Sequence, residues 1–355
     1  MMEKRIYAQR CMAALRDELR ERPRLNYLFL ELTDCCNLRC LHCGSSCGEK
    51  GNVLKTERVL ELIASVPAHA SNVHIVLTGG EPLLHPEFEK IAAALGESGL
   101  IWSLVTNATL IDDEFAQGLK RWGVASVSVS LDGDEQEHNR LRCSDTAYSR
   151  AVRGAECLRA QGISVQLTTV ITKRTLPMLE AMYKNVQAMG ARSWKIVNVE
   201  PIGRALDNSE LLLSRDELFK LLDFIRLKRK AGHDRGTALH ITYGCSHFLP
   251  LMYEEEVRTS LFICGAGTMI AGIQCNGDIA ACLDIERRPE LVQGNVYRDD
   301  FWDVWENRFE IFRRDRTAES EKCSRCKLRQ LCGGDSLHTW DFENNAPRLC
   351  MMKDF

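Results

Sequence analysis

The 355-residue chain is 45% hydrophobic, which is enough to bury one large core and to carry a smaller appended module. Its formal net charge of −3 leaves no global basic surface, so no nucleic-acid partner is expected. The charged N-terminus lacks the apolar segment of a secretion signal, and no stretch approaches the roughly 18 apolar residues of a membrane span, so we expect a cytoplasmic protein without membrane contact.

Residues 1–25 are predicted to form an N-terminal helical extension, because their apolar and charged residues follow a helical pattern. From residue 26 to 231, short β-branched or apolar runs alternate with helical patterns, as in a parallel sheet built from βαβ units. The six predicted strands are Tyr27–Leu32, Val73–Leu77, Ile101–Thr106, Ser126–Leu131, Ser164–Ile171 and Ser193–Val199.

Two helix starts are marked by polar capping patterns, Thr109-x-x-Asp112 and the capping box Ser214-x-x-Glu217. Six βα units are two fewer than the eight of a complete β/α barrel, so the predicted fold class is α/β, a partial (β/α)6 TIM-like barrel. Functional side chains are expected at the carboxyl ends of its strands.

Beyond residue 231 the βα alternation stops, and a cysteine-rich region follows that we predict to be a second domain over residues 232–355. It contains a hairpin pattern, Cys275-Asn276-Gly277-Asp278.

The chain has 16 cysteines, many of them clustered at short spacing. Without a secretion signal thiols stay reduced, so this clustering favours metal binding over disulfides. Six cysteines fall outside any useful spacing and are predicted to be buried free thiols: Cys11, Cys35, Cys47, Cys143, Cys157 and Cys245.

Three cysteines at C-x3-C-x2-C spacing, Cys36, Cys40 and Cys43, can wrap one loop around an iron–sulfur cubane and ligate three of its irons. Four thiolates are the usual complement of a [4Fe–4S] cluster, so this loop suggests one iron open to an exogenous ligand. A zinc site made by the three cysteines and His42 is the alternative that the loop alone leaves open.

This loop resembles that of the radical SAM superfamily, whose open iron takes S-adenosylmethionine (SAM). The segment Leu77-Thr78-Gly79-Gly80-Glu81-Pro82 is similar to the family's GGEP motif, in which glycines let the backbone approach the ligand and a carboxylate or carbonyl holds the SAM ammonium. The resemblance implies that the [4Fe–4S] cluster reductively cleaves SAM to a 5′-deoxyadenosyl radical.

Further fragments follow in the family's order, each at a strand end. Thr106-Asn107 resembles the polar pair near the ribose, and Pro201-Ile202-Gly203-Arg204-Ala205 resembles the PxGRA segment near the adenine. Ser130-Leu131-Asp132-Gly133, followed by His138-Asn139-Arg140-Leu141-Arg142, resembles the SLDG…HxxxR stretch. The residues that the resemblance assigns to SAM binding are Gly79, Gly80, Glu81, Asn107, Ser130, Arg142 and Gly203.

The C-terminal cysteines resemble those of the SPASM extension, which in its family binds two auxiliary [4Fe–4S] clusters in enzymes that modify peptides and proteins. The resemblance implies an inner cluster that includes Cys264 and Cys282. The outer cluster would be complete, with the ligands Cys323, Cys326, Cys332 and Cys350. A structural zinc ion held by the outer four cysteines is the alternative for that set.

The sequence departs from the SPASM pattern where a further cysteine is expected after Cys332, because Gly333-Gly334-Asp335-Ser336 stands there instead. Three outcomes are open for the inner cluster: Asp335 supplies an oxygen ligand, Cys275 fills in from the hairpin, or one iron is open to substrate. The inner cluster could also be missing altogether, with Cys264 and Cys282 as core thiols, so one or two auxiliary clusters are expected.

Two other polar residues lie close to the predicted ligands. Asp284, two residues after Cys282, is a candidate general base. His338, in the loop between predicted ligands, is expected mainly to pack that loop and shield a cluster from water.

The resemblance implies a radical enzyme that abstracts hydrogen from a ribosomally made peptide or protein. The alternative from the same superfamily is radical oxidation or tailoring of a small molecule, such as an antibiotic or haem precursor. A non-catalytic iron–sulfur protein is the alternative from another class. The expected partners are an electron donor such as flavodoxin or ferredoxin and, for a peptide substrate, a separate leader-peptide-binding protein.

Overall fold

The structure is a computed structural model that describes residues 2–235 and 239–352. Its helices are α1 (Met2–Glu21), α2 (Thr56–His69), α3 (Phe88–Ser98), α4 (Asp113–Arg121), α5 (Glu135–Arg142), α6 (Ala147–Ala160), α7 (Leu179–Ala188), α8 (Arg215–Arg235), α9 (Leu251–Val257), α10 (Phe301–Asn307), α11 (Glu310–Arg313), α12 (Glu321–Ser324) and α13 (Arg329–Cys332). Its strands are β1 (Tyr27–Glu31), β2 (His74–Thr78), β3 (Ile101–Thr106), β4 (Ser126–Ser130), β5 (Val165–Ile171), β6 (Ser193–Asn198), β7 (His240–Tyr243), β8 (Ile270–Ile273), β9 (Asp278–Ala280), β10 (Gly294–Asn295), β11 (Trp340–Asp341) and β12 (Ala346–Pro347).

Ten of these strands form one sheet in the order β10-β9-β8-β1-β2-β3-β4-β5-β6-β7. Strands β1 to β6 are parallel and follow chain order, with helices between them, so their carboxyl ends share one edge. The predicted α/β class is confirmed, and the six predicted strands agree with the observed ones to within one residue at each end.

Four strands of this sheet come from the chain beyond residue 231. Strand β7 pairs in parallel with β6 and strand β8 in parallel with β1, so both edges of the six-strand set are extended. Strands β8 and β9 are antiparallel, which confirms the predicted hairpin at residues 275–278. The separate second domain stays a prediction.

One capping pattern is confirmed and the other is shifted. The Ser214 N–H donates to Glu217 Oε2 at 2.8 Å, and the Glu217 N–H donates to Ser214 Oγ at 3.3 Å, as a capping box requires. Helix α4 begins at Asp113, with the Asp112 carboxylate accepting from the Phe115 N–H at 2.9 Å. A helix start at Thr109 is therefore wrong.

The core lies between the sheet and its covering helices. Leu30, Ile75 and Leu104 are almost completely buried on neighbouring strands. Helix α2 buries Val59, Leu62, Ile63 and Val66, an i, i+3, i+4, i+7 pattern that places one apolar face against the sheet. Each such side chain contributes about 1.5–3 kcal/mol on burial. Of the helices that the structure describes, none has the length and apolarity needed to span a bilayer.

Candidate functional site: two cysteine sites around a central cavity

Cys36, Cys40 and Cys43 follow β1 and line one cavity of about 320 Å3, which we call the central cavity. Its wall is completed at the carboxyl ends of β2 to β6, where a parallel sheet of this type presents its functional side chains. Of the residues predicted to bind SAM, those that line it are Gly79, Gly80, Asn107, Ser130 and Arg142.

The glycines after β2 allow close packing against the cysteine loop. The Gly80 N–H donates to the Thr33 carbonyl at 2.7 Å, and the Glu81 N–H donates to the Cys35 carbonyl at 2.8 Å. A Cβ atom on Gly80 would approach the Cys35 carbonyl oxygen to 2.4 Å, so no larger residue fits without moving the loop. The GGEP-like segment therefore positions the cysteine loop.

Glu81 is completely buried and does not line the central cavity. Its carboxylate accepts hydrogen bonds from the Thr106 hydroxyl and the Asn107 N–H, both at 2.8 Å, and from the Leu83 N–H at 3.3 Å. Burial raises the pKa of Glu81 to about 7, although these donors act in the opposite direction. The structure thus uses this carboxylate to tie the loop after β2 to the end of β3.

A buried ion pair stands beside the cysteine loop. Arg142 Nε and Nη2 donate to Asp132 Oδ2 at 2.9 and 2.6 Å, and Arg142 Nη1 lies 3.8 Å from Cys40 Sγ. Burial disfavours the charged Asp132, but the Arg142 guanidinium, together with smaller contributions from His42 and His138, outweighs it and holds the pKa of this carboxyl below its usual value. His42 Nε2 lies 3.8 Å from the same Asp132 oxygen, and burial lowers the pKa of His42 to about 4.

Arg204 binds the cysteine loop through its backbone carbonyls. Its Nε donates to the Cys40 carbonyl at 2.8 Å and its Nη1 to the Cys47 carbonyl at 2.7 Å. Gly203 has a φ of +55°, and a Cβ there would lie 2.4 Å from the Cys43 carbonyl oxygen. Gly203 was predicted from the sequence to bind SAM, whereas Arg204 was not predicted to have a role, although the PxGRA resemblance contained it.

The residues present fit a three-cysteine [4Fe–4S] cluster. Burial raises the pKa of the Cys36 thiol to about 12, so this thiol needs a metal to deprotonate it. A hydrogen bond from the Cys47 thiol lowers the pKa of the Cys43 thiol. Thiolates on one loop beside the Arg142 guanidinium suit an anionic cluster with one open iron.

Cys264 and Cys332 line a second, smaller cavity together with the side chains of Arg16 and Arg316. Among the outer predicted ligands, burial raises the pKa of Cys323, and the charges of Cys350 and Cys326 act on it in the same direction. Burial likewise raises the pKa of Cys332, reinforced by the charge of Asp335 and to a smaller extent by that of Cys350. The outer cluster stays a prediction.

The two candidates for the missing inner ligand have polar contacts of their own. The carboxylate of Asp335 lines the second cavity, where Oδ1 accepts the Phe248 N–H at 2.6 Å and Oδ2 lies 3.3 Å from His247 Nδ1. Cys275 lies in the β8–β9 turn, where its N–H donates to Glu31 Oε2 at 3.3 Å. Burial raises the pKa of the Cys275 thiol to about 12, reinforced by the charge of Glu31.

Asp284 and His338 line the central cavity, which therefore joins the cysteine loop to the cysteine-rich region. The imidazole of His338 is buried between two thiols: Nδ1 lies 3.9 Å from Cys245 Sγ and Nε2 lies 3.5 Å from Cys282 Sγ. Burial acts against the charged imidazole, but the charges of Cys245 and Cys282 outweigh it and raise the pKa of His338 well above its usual value.

Three of the six cysteines predicted to be buried free thiols are exposed, so that prediction is wrong for Cys11, Cys143 and Cys245. Cys11 lies on helix α1, and Cys143 directly follows helix α5. Both helices are largely polar, so neither thiol lies on an apolar face that other elements could cover. Cys245 faces the central cavity, and no spacing signal in the sequence pointed to it.

Comparisons with known proteins agree with this geometry. Residues 30–186 match the radical SAM superfamily, and residues 264–327 match the SPASM iron–sulfur cluster-binding domain. The chain is 30% identical to an AdoMet-dependent heme synthase of Oleidesulfovibrio alaskensis over 88% of this chain and 82% of that protein. It is 29% identical to the mycofactocin maturase MftC of Mycobacterium tuberculosis, over 86% of this chain and 76% of that protein.

Among solved structures, the fold is similar to that of native anSMEcpe with bound AdoMet, with a TM-score of 0.72 and 20% identity over 89% of this chain and 90% of that one. It is also similar to Streptococcus suis SuiB bound to the precursor peptide SuiA, with a TM-score of 0.70 and 18% identity over 88% of this chain and 72% of that one. At these identities the likeness is one of fold.

Proposed function

This chain belongs to the radical SAM superfamily and carries a SPASM domain, and from that premise we propose that it removes a hydrogen atom from carbon in a peptide or protein segment. The [4Fe–4S] cluster and SAM, when bound, supply the 5′-deoxyadenosyl radical for this step, and one or two auxiliary clusters complete the cofactor set. Cys36, Cys40 and Cys43 are the proposed ligands of the first cluster.

The observation that carries the proposal is the central cavity, because it joins the cysteine loop to polar residues of the cysteine-rich region. Ser130 and Asn107 offer a hydroxyl and an amide at its wall for the polar groups of SAM. Arg142 places positive charge next to Cys40 Sγ and so offsets the negative charge of bound thiolates. Residues that close around the reacting carbon also exclude water and oxygen.

The size of the cavity favours a narrow substrate. Its volume of about 320 Å3 is near the lower end of the range of about 300–1,000 Å3 for ligand sites, and SAM shares it. A single side chain of an extended peptide needs little further space. Lys195 lines the same cavity, and its ammonium suits a carbonyl or carboxylate oxygen of the substrate.

A haem precursor is the second candidate, favoured by the 30% identity to an AdoMet-dependent heme synthase over 88% of this chain. A macrocycle with carboxylate side chains would use Lys195 equally well. Because a macrocycle is larger than one peptide side chain, it would require the cavity to open more widely.

The proposed reaction needs a one-electron donor, for which we propose flavodoxin or ferredoxin. A peptide substrate would also need its leader bound, by a separate protein or by the surface of the barrel. None of the 16 cysteines, all of which lie in the described part of the chain, forms a disulfide, and this supports a reducing, cytoplasmic setting.

The test gives the anaerobically reconstituted enzyme two kinds of substrate: short peptides encoded beside its gene, produced by co-expression, and Fe-coproporphyrin III. We expect a peptide to lose about two mass units per modification or to take up deuterium from solvent, and to stimulate SAM cleavage. If the peptides return unmodified while the porphyrin stimulates SAM cleavage and loses mass, the haem-precursor candidate replaces the peptide proposal.

A further inference from the structure

Exposed positive charge surrounds one proposed ligand of the outer cluster. Residues 321–329 contain four cationic side chains and one anionic side chain, so this segment is net positive on a chain whose total charge is −3. Lys322, Arg325 and Lys327 are exposed, and the exposed Cys326 stands between the last two. We call Lys322, Arg325 and Lys327 the basic patch.

The segment is folded tightly around Cys326, which keeps the three cations near one another. The Cys326 N–H donates to the Cys323 carbonyl at 3.0 Å, and the Arg329 N–H donates to the Cys326 carbonyl at 3.1 Å. Along a helical path five residues advance only about 7.5 Å. This is less than the Debye length of about 10 Å at 0.1 M salt, so the fields of the three cations reinforce one another in solution.

The charges of the basic patch are not neutralised by the described part of the chain. None of the three cations forms an ion pair there, and the Lys322 ammonium instead donates to the Pro347 carbonyl at 3.4 Å. The neighbouring Arg329 differs, because its guanidinium lies 3.6 Å from the Asp315 carboxylate. Cations without such a partner attract an anionic molecule from solution.

The partner that fits the basic patch is an acidic protein that carries one electron. Because Cys326 is an exposed, proposed ligand of the outer cluster, a protein seated on the patch brings its redox group next to that cluster. The rest of the chain is net negative, so an acidic carrier is repelled elsewhere and is oriented by the patch. Complexes between redox proteins are small, below about 1,200 Å2, so a few charges are sufficient.

We propose that the basic patch is the docking surface for an acidic one-electron carrier of the flavodoxin class, which exchanges an electron with the outer cluster beside Cys326. The exchange breaks no bond in this chain: the reduced cluster loses one electron, and the oxidised flavin gains it together with a proton from water. That the electron comes from the substrate rests on the proposed function, whereas docking and electron exchange do not.

The experiment uses flavodoxin as the probe and, as parent, the full-length protein with the three predicted ligands of the cysteine loop changed to alanine, so that its iron is auxiliary. Calorimetry measures binding at low and high salt, and the flavin absorbance reports electron exchange with the reduced clusters. At low salt, Lys322→Ser/Arg325→Ser/Lys327→Ser is expected to raise the Kd and slow the exchange at least tenfold, with iron and sulfide unchanged. Added salt should weaken binding by the parent far more than binding by this variant.

Two single variants keep the test valid if the triple variant loses iron. The side chains of Arg325 and Lys327 make no hydrogen bond within the described residues, so Arg325→Ser and Lys327→Ser should keep the cluster. Each is expected to raise the Kd about threefold.

Lys120→Ser/Arg121→Ser/Arg150→Ser is the matched control, since it removes three exposed cations from α4 and α6 and changes the net charge equally. It should bind flavodoxin and exchange electrons as the parent does. Equal weakening in the control, no binding by the parent, or exchange that is unchanged without the basic patch would each overturn the proposal.

A short DNA duplex that binds the parent through the patch as tightly as flavodoxin does would assign the surface to nucleic acid and also overturn it. The peptide assay is separate: a protein that docks flavodoxin but modifies no peptide refutes the proposed function and leaves the docking surface standing.

Discussion

The pKa values of two fully buried carboxyl groups near the cysteine loop are shifted in opposite directions because their partners differ. Glu81 accepts hydrogen bonds only from uncharged donors, so burial dominates and raises its pKa to about 7. Asp132 pairs with the Arg142 guanidinium, which holds its pKa low despite equal burial. Asp132 therefore stays ionised at neutral pH, whereas Glu81 takes up a proton much more readily.

The Glu81 pKa predicts a pH-dependent stability. Because its pKa rises from 4.5 to about 7 on folding, the native state holds a proton that the unfolded state releases between those values. The free energy of unfolding should therefore fall by about 3 kcal/mol as pH rises from about 4.5 to 7. Denaturant titrations across this range should show that Glu81→Gln lacks this fall.

Exposed Glu89, in the first turn of α3, provides the control, and Glu89→Gln should keep the wild-type pH dependence. If Glu81→Gln and wild type show the same pH dependence, the assignment of a protonated buried Glu81 is incorrect.

The Arg142–Asp132 pair predicts that the effects of single and double substitutions on the free energy of unfolding do not add. Arg142→Met alone leaves the buried Asp132 charge uncompensated and should lower the free energy of unfolding by about 3–5 kcal/mol. The double variant Asp132→Asn/Arg142→Met has no such charge, and the Asn oxygen can still accept the Val170 N–H. Chemical denaturation should find the double variant more stable than Arg142→Met; destabilisation equal to the sum of the single variants would contradict this account.

At the scale of elements, the cysteine loop is held by backbone contacts from two other strand ends. The loop after β2 approaches it at Gly80, and the segment after β6 approaches it at Gly203 and donates through Arg204. The loop therefore acquires its shape from segments that are distant in sequence.

Gly80→Ala should displace the loop, because the new Cβ would meet the Cys35 carbonyl oxygen at 2.4 Å. Gly48→Ala is the matched control in the same loop, since a Cβ there meets nothing within 4 Å. Iron analysis after reconstitution should show that Gly80→Ala lacks about four irons per chain, one cubane, while Gly48→Ala matches wild type. Equal iron in both variants would show that this close packing is unimportant for the cluster.

The six central strands could be predicted because each is a short β-branched or apolar segment, or one that alternates polar with apolar residues, followed by turn residues. Strand β7 was missed because four residues are too few to establish a pattern. The pairing of β8 with β1 joins segments about 240 residues apart, and no local pattern encodes such a contact. Helix α4 starts at Asp113 rather than near Thr109, because the Thr109 hydroxyl donates to Asn107 Oδ1 instead of capping the helix.

The candidate site was predicted from the sequence where the chemistry lies in one segment. Cys36, Cys40 and Cys43 share a loop, so their spacing suggested a metal site, and the family resemblance favoured a cluster over zinc. Arg204 and Cys245 were missed because each acts on a residue from another part of the fold, and only the folded chain brings these partners together.

At the scale of the whole molecule, the N-terminal helix is bound to the cysteine-rich region. Arg16 Nη2 donates to the Gln330 carbonyl at 2.7 Å and Nη1 to the Leu331 carbonyl at 3.1 Å, directly before Cys332. Helix α1 thereby stabilises the end of α13, which carries a proposed ligand of the outer cluster.

Arg16→Met should therefore loosen the outer cluster. Both carbonyls at the end of α13 would lose a charged donor, a loss of about 1.5–3 kcal/mol for each such hydrogen bond. Iron release to a chelator, followed in a background that lacks Cys36, Cys40 and Cys43, should be faster in Arg16→Met than in its parent. Exposed Arg10, on the same helix, gives the control Arg10→Met, and equal release rates in all three proteins would rule out this role for α1.

The central claim is that Cys36, Cys40 and Cys43 hold the cluster at which SAM is cleaved. The most direct measurement is formation of 5′-deoxyadenosine by the anaerobically reconstituted enzyme with SAM and dithionite. Wild type is expected to form it, and Cys36→Ala, Cys40→Ala and Cys43→Ala should each form none above background while keeping auxiliary iron. Product from all three variants, or no product from wild type that carries its full complement of iron, would contradict the account.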